Sequence, residues 1–352
     1  MNFQYLNIHQ KPNKQLLELL NSNVIGTPGL SMLYQHLKVE EKLYSIATPH
    51  FLTIERNNEV VGTCCFCERN FNTITGFYVR YFAFKNDFRI SGKPNTKSRL
   101  KSSGIRSEVK ALLNGDCLLN QKQTQFFHYA YVDPRNPRSA NLCDEFGFVP
   151  VRKYTTRIFS RFFPKPQYKL DIRETSSSSE KIKTLLGRFY SNYNHFTFEN
   201  LNKNYYYIEN TEGEILAGAQ VNPDAWRIET LPGKFGKALL AVFSHTPILS
   251  KLLSNHFRFL AVEGIFYAAG CEPLFERLLE HLLYQFKMHT AIMVVDTQSS
   301  LYDLTHKMNL GFLSATSPEV YGNVIVHPHQ LPEYFMKHQQ LKPAYISVHD
   351  VS

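Results

Sequence analysis

Apolar and polar positions along the chain switch between two periods, and each switch marks an element. Leucines at 16, 17, 19 and 20 give Lys14–Asn21 the spacing of a short helix with one apolar face. A second short helix is predicted over Ser31–Leu37. Phe51–Glu55 and Val60–Glu68 read as strands joined by Arg56-Asn-Asn-Glu59, a hairpin signal. Gly76–Phe84 is an aromatic-rich strand. Ile105, Val109, Leu112 and Leu113 recur at helical spacing across Gly104–Asn114, and Gly115 ends that helix. Phe126–Val132 is then a strand, Pro137–Phe146 a helix and Val151–Phe159 a strand.

Phe163-Pro-Lys-Pro166 interrupts the pattern, because two prolines around a lysine disfavour helix and leave an extended connection. Beyond it the order recurs. Tyr168–Thr175 is strand-like, and a serine run leads into a helix over Glu180–Tyr193. Tyr205–Glu209 and Ile215–Val221 form a hairpin, and Phe235–Leu253 is a helix or pair of helices broken at Pro247. Strand Phe257–Ala268, helix Cys271–Phe286, strand Thr290–Asp296, helix Leu301–Asn309 and strand Val320–His327 close the chain. An internal repeat of about 175 residues is too long for a solenoid unit and implies a duplicated domain. The expected division is 1–163 and 164–352.

Composition narrows the class. With 43% hydrophobic and 20% charged residues, a disordered chain is excluded. No run of about 18 apolar residues occurs, so no spanning helix is expected. The start lacks the charged and apolar regions of a secretion signal, and a cytoplasmic location is the expectation. Cys64-Cys65-Phe66-Cys67 has no second Cys or His pair at a zinc spacing, and His327-Pro-His329 has no further ligands beside it, so no metal is expected. The cysteines read as small thiols buried in a strand. Of the net charge of +9, much gathers between Lys85 and Lys110, where eight cations face two carboxylates. One concentrated cationic segment suits a compact polyphosphate better than a long duplex, and nucleic acid is not expected as the partner.

Two late segments carry the resemblance to a known family. Phe127-His-Tyr-Ala-Tyr-Val-Asp133 leads through a short loop to Ser139-Ala-Asn-Leu-Cys-Asp-Glu-Phe-Gly-Phe148. Ala291-Ile-Met-Val-Val-Asp296 leads likewise to Leu301 and on to Gly311-Phe312. Each is a strand ending in Asp, a loop, an amphipathic helix and Gly-Phe. In this the chain resembles the GNAT-superfamily N-acyltransferases, over most of both halves. The resemblance implies an α/β (α+β) fold of two consecutive GNAT-like domains, each a mixed, mostly antiparallel sheet flanked by helices. It implies acetyl-CoA or another acyl-CoA as co-substrate and a small-molecule or peptide amine as acceptor.

The family holds the cofactor's pyrophosphate at the start of the helix after its fourth strand, where backbone N–H groups and the helix dipole favour an anion. That position implies Arg99, Ser102, Ser103, Gly104, Ile105 and Arg106 in the first half and Gly270 in the second. Asn136, Ser139 and Asn141 match family positions near the pantetheine. Acyl transfer needs a deprotonated amine, a stabilised oxyanion and a protonated leaving thiolate. By position in the family, Glu263 would be the base and Tyr302 the acid, while the first half has no carboxylate on Gly76–Phe84 and no Tyr on Pro137–Phe146. Two other classes stay open at this point: a cofactor-binding or protein-interaction module with decayed sites, and a transferase drawing on aminoacyl-tRNA.

Overall fold

The structure is a computed structural model that describes residues 3–71, 74–85, 104–115, 118 and 124–351. In the first half come β1 (Leu6–His9), α1 (Lys14–Asn21), β2 (Leu33–His36), α2 (Val39–Tyr44), β3 (Pro49–Arg56), β4 (Glu59–Phe71) and β5 (Ile74–Phe84). They are followed by α3 (Gly104–Leu113), β6 (Phe126–Val132), α4 (Pro137–Glu145) and β7 (Val149–Ser160). In the second half come β8 (Ile172–Ser176), α5 (Glu180–Phe189), β9 (Asn204–Glu209), β10 (Ile215–Thr230), α6 (Gly236–His245), β11 (His256–Tyr267) and α7 (Glu272–Gln285). The chain ends with β12 (Thr290–Asp296), α8 (Ser300–Lys307), α9 (Phe312–Thr316), β13 (Tyr321–His329), α10 (Glu333–Leu341) and α11 (Val348–Val351).

Twelve of these strands form one continuous path in the order β1-β3-β4-β5-β6-β13-β7-β12-β11-β10-β9-β8, with β2 added on β10. Among the described residues, β5–β6 and β11–β12 are the parallel strand pairs and every other neighbouring pair of strands is antiparallel. The middle of the sheet is an exchange. The last strand of the second half, β13, pairs with β6 of the first, and the last strand of the first half, β7, pairs with β12 of the second. Because β7 and β13 also pair with each other, the two halves share one hydrogen-bonded ladder.

Packing follows the same plan. One apolar cluster covers a face of the second half, where Phe275, Leu278, Leu279, Leu282 and Leu283 of α7 lie fully buried against β9–β12. Each such side chain contributes roughly 2 kcal/mol on removal from water. A smaller cluster of Leu6, Leu52, Phe77, Leu112 and Phe126 seats α3 on the first half. The third cluster belongs to both halves, joining Leu16, Phe51 and Tyr129 to Trp226, Phe259, Val326 and Val348.

One sequence expectation fails here. Ser31–Leu37 is not a helix: Leu33–His36 is a strand on the edge of β10, with Trp226 opposite His36. A long strand offers a row of unpaired backbone groups, and Tyr34 stacks on the Trp226 ring at 4.3 Å. Those tertiary gains outweigh one marginal turn of helix. β10 also runs on to Thr230, beyond the Val221 expected. Its Pro223 is tolerated because it lies between the stretch paired with β9 and the stretch paired with β2, where no ladder bond is needed.

Candidate active site

The two parallel pairs open at matching places. β5 and β6 are paired from Thr75–Phe126 to Tyr78–Tyr129, and β11 and β12 at Leu260–Ala291 and Ala261–Ile292; beyond these points the strands diverge. Just past each last pair the outer strand bulges. Tyr81 takes φ +57° where the β4–β5 register slips, and Gly264 takes φ +56° where the β10–β11 register slips. A bulge re-aims side chains and turns the strand away from its neighbour. Arg80, opposite Cys65, and Glu263, opposite Gln220, precede the bulges at equivalent positions. Asp133 and Asp296 end the inner strands. Asn136 and Ser299 then cap α4 and α8, accepting from the Ser139 and Tyr302 amides at 3.2 Å.

The second wedge is filled by the protein itself. The segment from Pro343 enters it, exchanging backbone hydrogen bonds with Asn194 at 2.8 Å in both directions, and the Ala344 amide donates to Asp296 Oδ2 at 2.9 Å. Glu263, only 1% exposed, is the clamp. Tyr345 OH donates to its Oε2, and Ser347 Oγ and the His349 amide donate to its Oε1, each at 2.8 Å. Burial pushes the Glu263 carboxyl up to about 7, against the opposing pull of these donors. The bulge amide of Gly264 is also spent, donating to Tyr345 OH at 3.2 Å. What remains is a cavity of about 10 Å³ between Tyr190, Val294 and Tyr345, room for about one water.

Tyr302 does not line that cavity; its hydroxyl donates to Glu319 at 3.2 Å. Gly270 forms an open turn at φ +79° before α7. Glu272 sits at that helix start, held below the usual carboxylate range by Lys307 and by the amides of Glu272 and Gly270. A carboxylate of the chain thus already takes the anion position at this helix N-terminus.

The first wedge is open at the same positions. Phe82 is 50% exposed where Ile265 is 4% exposed. Val79, Tyr131, Val132 and Asp133 are half-buried where Val262, Val294, Val295 and Asp296 are buried. Arg138 is exposed on α4, whereas Leu301 is buried on α8.

After leaving Glu263, the C-terminal segment reaches this wedge. Asp350 is bound by Arg69 through both oxygens at 2.7 Å and lies 3.5 Å from Arg80 Nη1, while Arg80 Nη2 donates to the His349 carbonyl at 3.1 Å. The Arg69 and Arg80 guanidiniums hold the Asp350 carboxyl below its usual range despite its burial. Arg80 stacks over the Tyr81 ring at 4.1 Å. The Arg80 Nε, the Tyr81 hydroxyl, His36 Nδ1 and Trp226 Nε1 are buried without a partner among the described residues. Orphaned donors of this kind are costly, and two of them, Arg80 Nε and the Tyr81 hydroxyl, belong to adjacent residues at the bulge of the first wedge. His349 is pushed down to about 4 by burial beside Arg80 and Lys42, so its ring is neutral at pH 7.

The expected cofactor residues of the first half divide into three groups. Arg99, Ser102 and Ser103 lie outside the described residues. Gly104, Ile105 and Arg106 open α3. A Cβ on Gly104 would fall 2.2 Å from the Tyr5 ring, Ile105 packs into the small cluster, and Arg106 is ion-paired with Glu145. Asn136 and Ser139 stand at the rim as cap and first turn, and Asn141 is exposed on the same helix. The sequence reading missed Arg69, Arg80 and Asp350. One signal was present: Arg80 interrupts Phe77-Tyr-Val-Arg-Tyr-Phe82, and a cation within such a strand needs a buried partner.

No family model and no curated protein matches the chain. Solved structures do. Saccharomyces cerevisiae N-myristoyltransferase with bound myristoyl-CoA superimposes with a TM-score of 0.54 at 10% identity, over 94% of this chain and 85% of that one. A fungal multi-domain GH3 β-N-acetylglucosaminidase with a GCN5-related glucosamine N-acetyltransferase region gives 0.51 at 10% identity, over 92% of this chain and 37% of that one. A likeness spanning nearly the whole chain, together with two wedges at matching registers, places the protein among structures with the GNAT-superfamily N-acyltransferase fold, here as two GNAT-like halves.

Proposed function

We propose that the protein is an acyl-CoA-dependent N-acyltransferase that works from its first wedge, the segments 1–163 and 164–352 being two copies of one domain. The carrying observation is the asymmetry of the wedges: the second is filled by Pro343–Ile346, whereas Val79, Phe82, Tyr131, Val132 and Asp133 of the first are more exposed than their counterparts. Diverging strands expose backbone N–H and C=O groups that an amide-bearing pantetheine arm can pair with as an added strand does. The start of α3, with Gly104, Ile105 and Arg106, is then the end that receives the phosphates. Asn136, Ser139 and Asn141 face the arm from the other rim.

In the reaction the acceptor nitrogen attacks the thioester carbonyl, the C–S bond breaks, and the proton given up by the amine balances the departing thiolate. Negative charge develops on the carbonyl oxygen. Arg80 Nε and the Tyr81 hydroxyl, buried and unpartnered, are the donors suited to it. In this reading Glu263 serves by clamping the C-terminal segment that brings Asp350 to Arg69 and Arg80, and Tyr302 takes no part in the chemistry. The yeast neighbour carries myristoyl-CoA, so acetyl-CoA and longer acyl-CoAs are to be tested side by side. The test is turnover of acetyl-, octanoyl- and myristoyl-CoA, followed by thiol release, against a panel of small amines and peptides with free N-termini. Turnover by the wild type that falls about a hundredfold in Arg80→Gln supports the reading. No thiol release with any donor, and no binding of any of them, overturns it.

A further inference from the structure

At the opposite ends of β11 and β12 from the wedge lies a second concavity of about 230 Å³. It is walled by Ser250–Ser254, by His256, Phe257 and Arg258 at the start of β11, and by Lys287, Met288 and His289 before β12. Its composition is one-sided. Lys251, Arg258 and Lys287 are accompanied by two histidines and two serines, and among the described residues no carboxylate lines it. Some exposed cations elsewhere in the protein are ion-paired, as Arg173 is with Asp171 and Lys307 with Glu272. Among the described residues Lys251, Arg258 and Lys287 have no such partner, although Lys251 lies 4.3 Å over the Phe163 ring. The floor is apolar: Leu252, Phe257 and Met288 are all buried.

Local structure fixes the backbone that carries two of the cations. Lys287 follows α7 with φ +52°, its amide donating to Tyr284 O and the next amide to Leu283 O. Glycine fits such a helix end without strain; the chain instead has a lysine there, exposed and lining the cavity. Lys251 ends a turn of 3-10 helix at Leu249–Lys251, and the buried Thr290 hydroxyl ties that turn to β12 through Leu252 O at 3.1 Å. Like charges gathered without counter-charges repel one another, and an anion relieves that repulsion.

We infer that this cavity binds the phosphate or diphosphate group of a small phosphorylated molecule, at a site separate from the acyl-transfer wedge. A concave site of this volume suits one or two phosphate groups with an apolar portion over Leu252 and Met288 and is too small to track a polymer. The inference does not depend on the acyl-transfer reading.

The test uses the full chain with methionine methyls labelled for NMR, and inorganic pyrophosphate as the probe. Met288 is identified by a Met288→Leu variant. Saturable displacement of the Met288 signal is expected, weakening with added salt. The Lys251→Gln/Lys287→Gln variant is expected to raise the pyrophosphate Kd about tenfold or more, while Lys337→Gln, an exposed change on α10, leaves it unaltered. Arg258→Gln provides a second measure from a strand surface, with a rise of roughly fivefold. Acyl-CoA affinity is expected to stay the same in all three. A Met288 signal that never moves, or a pyrophosphate Kd equal in wild type and both cavity variants, overturns the inference.

Discussion

Replacing Glu263 by glutamine tests the clamp on the C-terminal segment. The wild-type carboxyl is buried and titrates near 7, against 4.5 for the unperturbed group. Between those pH values the folded protein keeps a proton that the unfolded chain has lost, so folding stability falls as pH rises from about 4.5 to 7 and levels off above. A shift of this size corresponds to about 3 kcal/mol across the window. The glutamine side chain does not titrate. Its amide oxygen still accepts, but its NH₂ group faces a donor, at a cost of about 1–2 kcal/mol. The wild type therefore loses stability relative to the variant between pH 5 and pH 8, by roughly 2–3 kcal/mol. Urea unfolding from pH 5 to 8 can be followed through Trp226, the single tryptophan, which lies in the core common to both halves. A stability difference between wild type and variant that stays constant over this range refutes the reasoning.

Asp350→Asn leaves Arg80 buried without its carboxylate and Arg69 with only Glu199, 3.1 Å from its Nε, and a loss of about 3 kcal/mol is expected in the same urea assay; a loss under 1 kcal/mol would contradict the buried pairing. Gly264→Ala imposes a side chain at φ +56° with its Cβ 2.9 Å from Leu201 Cδ2. It should cost about 1–3 kcal/mol, more than Gly270→Ala, where φ is +79° but the space is open; equal losses would remove the packing part of the argument. Arg80→Lys keeps the charge but not the Nε donor, so kcat in acyl transfer should fall about a hundredfold with acyl-CoA KM little changed. An unchanged kcat removes Arg80 from the oxyanion role.

Much of the fold was legible because its elements are strongly periodic. β6 and β12 match their predicted bounds of Phe126–Val132 and Thr290–Asp296, and the aspartates that close these two segments revealed the repeat. What local pattern does not encode is pairing between distant segments. Leu33–His36 became a strand only because β10 offers an edge and Trp226 a stacking surface. The exchange of β7 and β13 likewise depends on which edge each closing strand finds, and periodicity is silent on that. The same limit applied to the site. Glu263 was visible as a strand carboxylate near a fourth-strand position, but the three donors that occupy it come from residues 345–349. Nor could spacing show that Asp350 would cross to Arg69, 281 residues earlier. Wedge asymmetry is a property of that crossing.

Backbone hydrogen exchange with and without acyl-CoA tests the central claim most directly. The account predicts slowed exchange in Tyr78–Phe84, Tyr129–Asp133 and the first turn of α4, with no change in Val262–Tyr267 or Met293–Ser300. Protection at the second wedge instead, or acyl-CoA binding that leaves the first wedge unprotected, would contradict it.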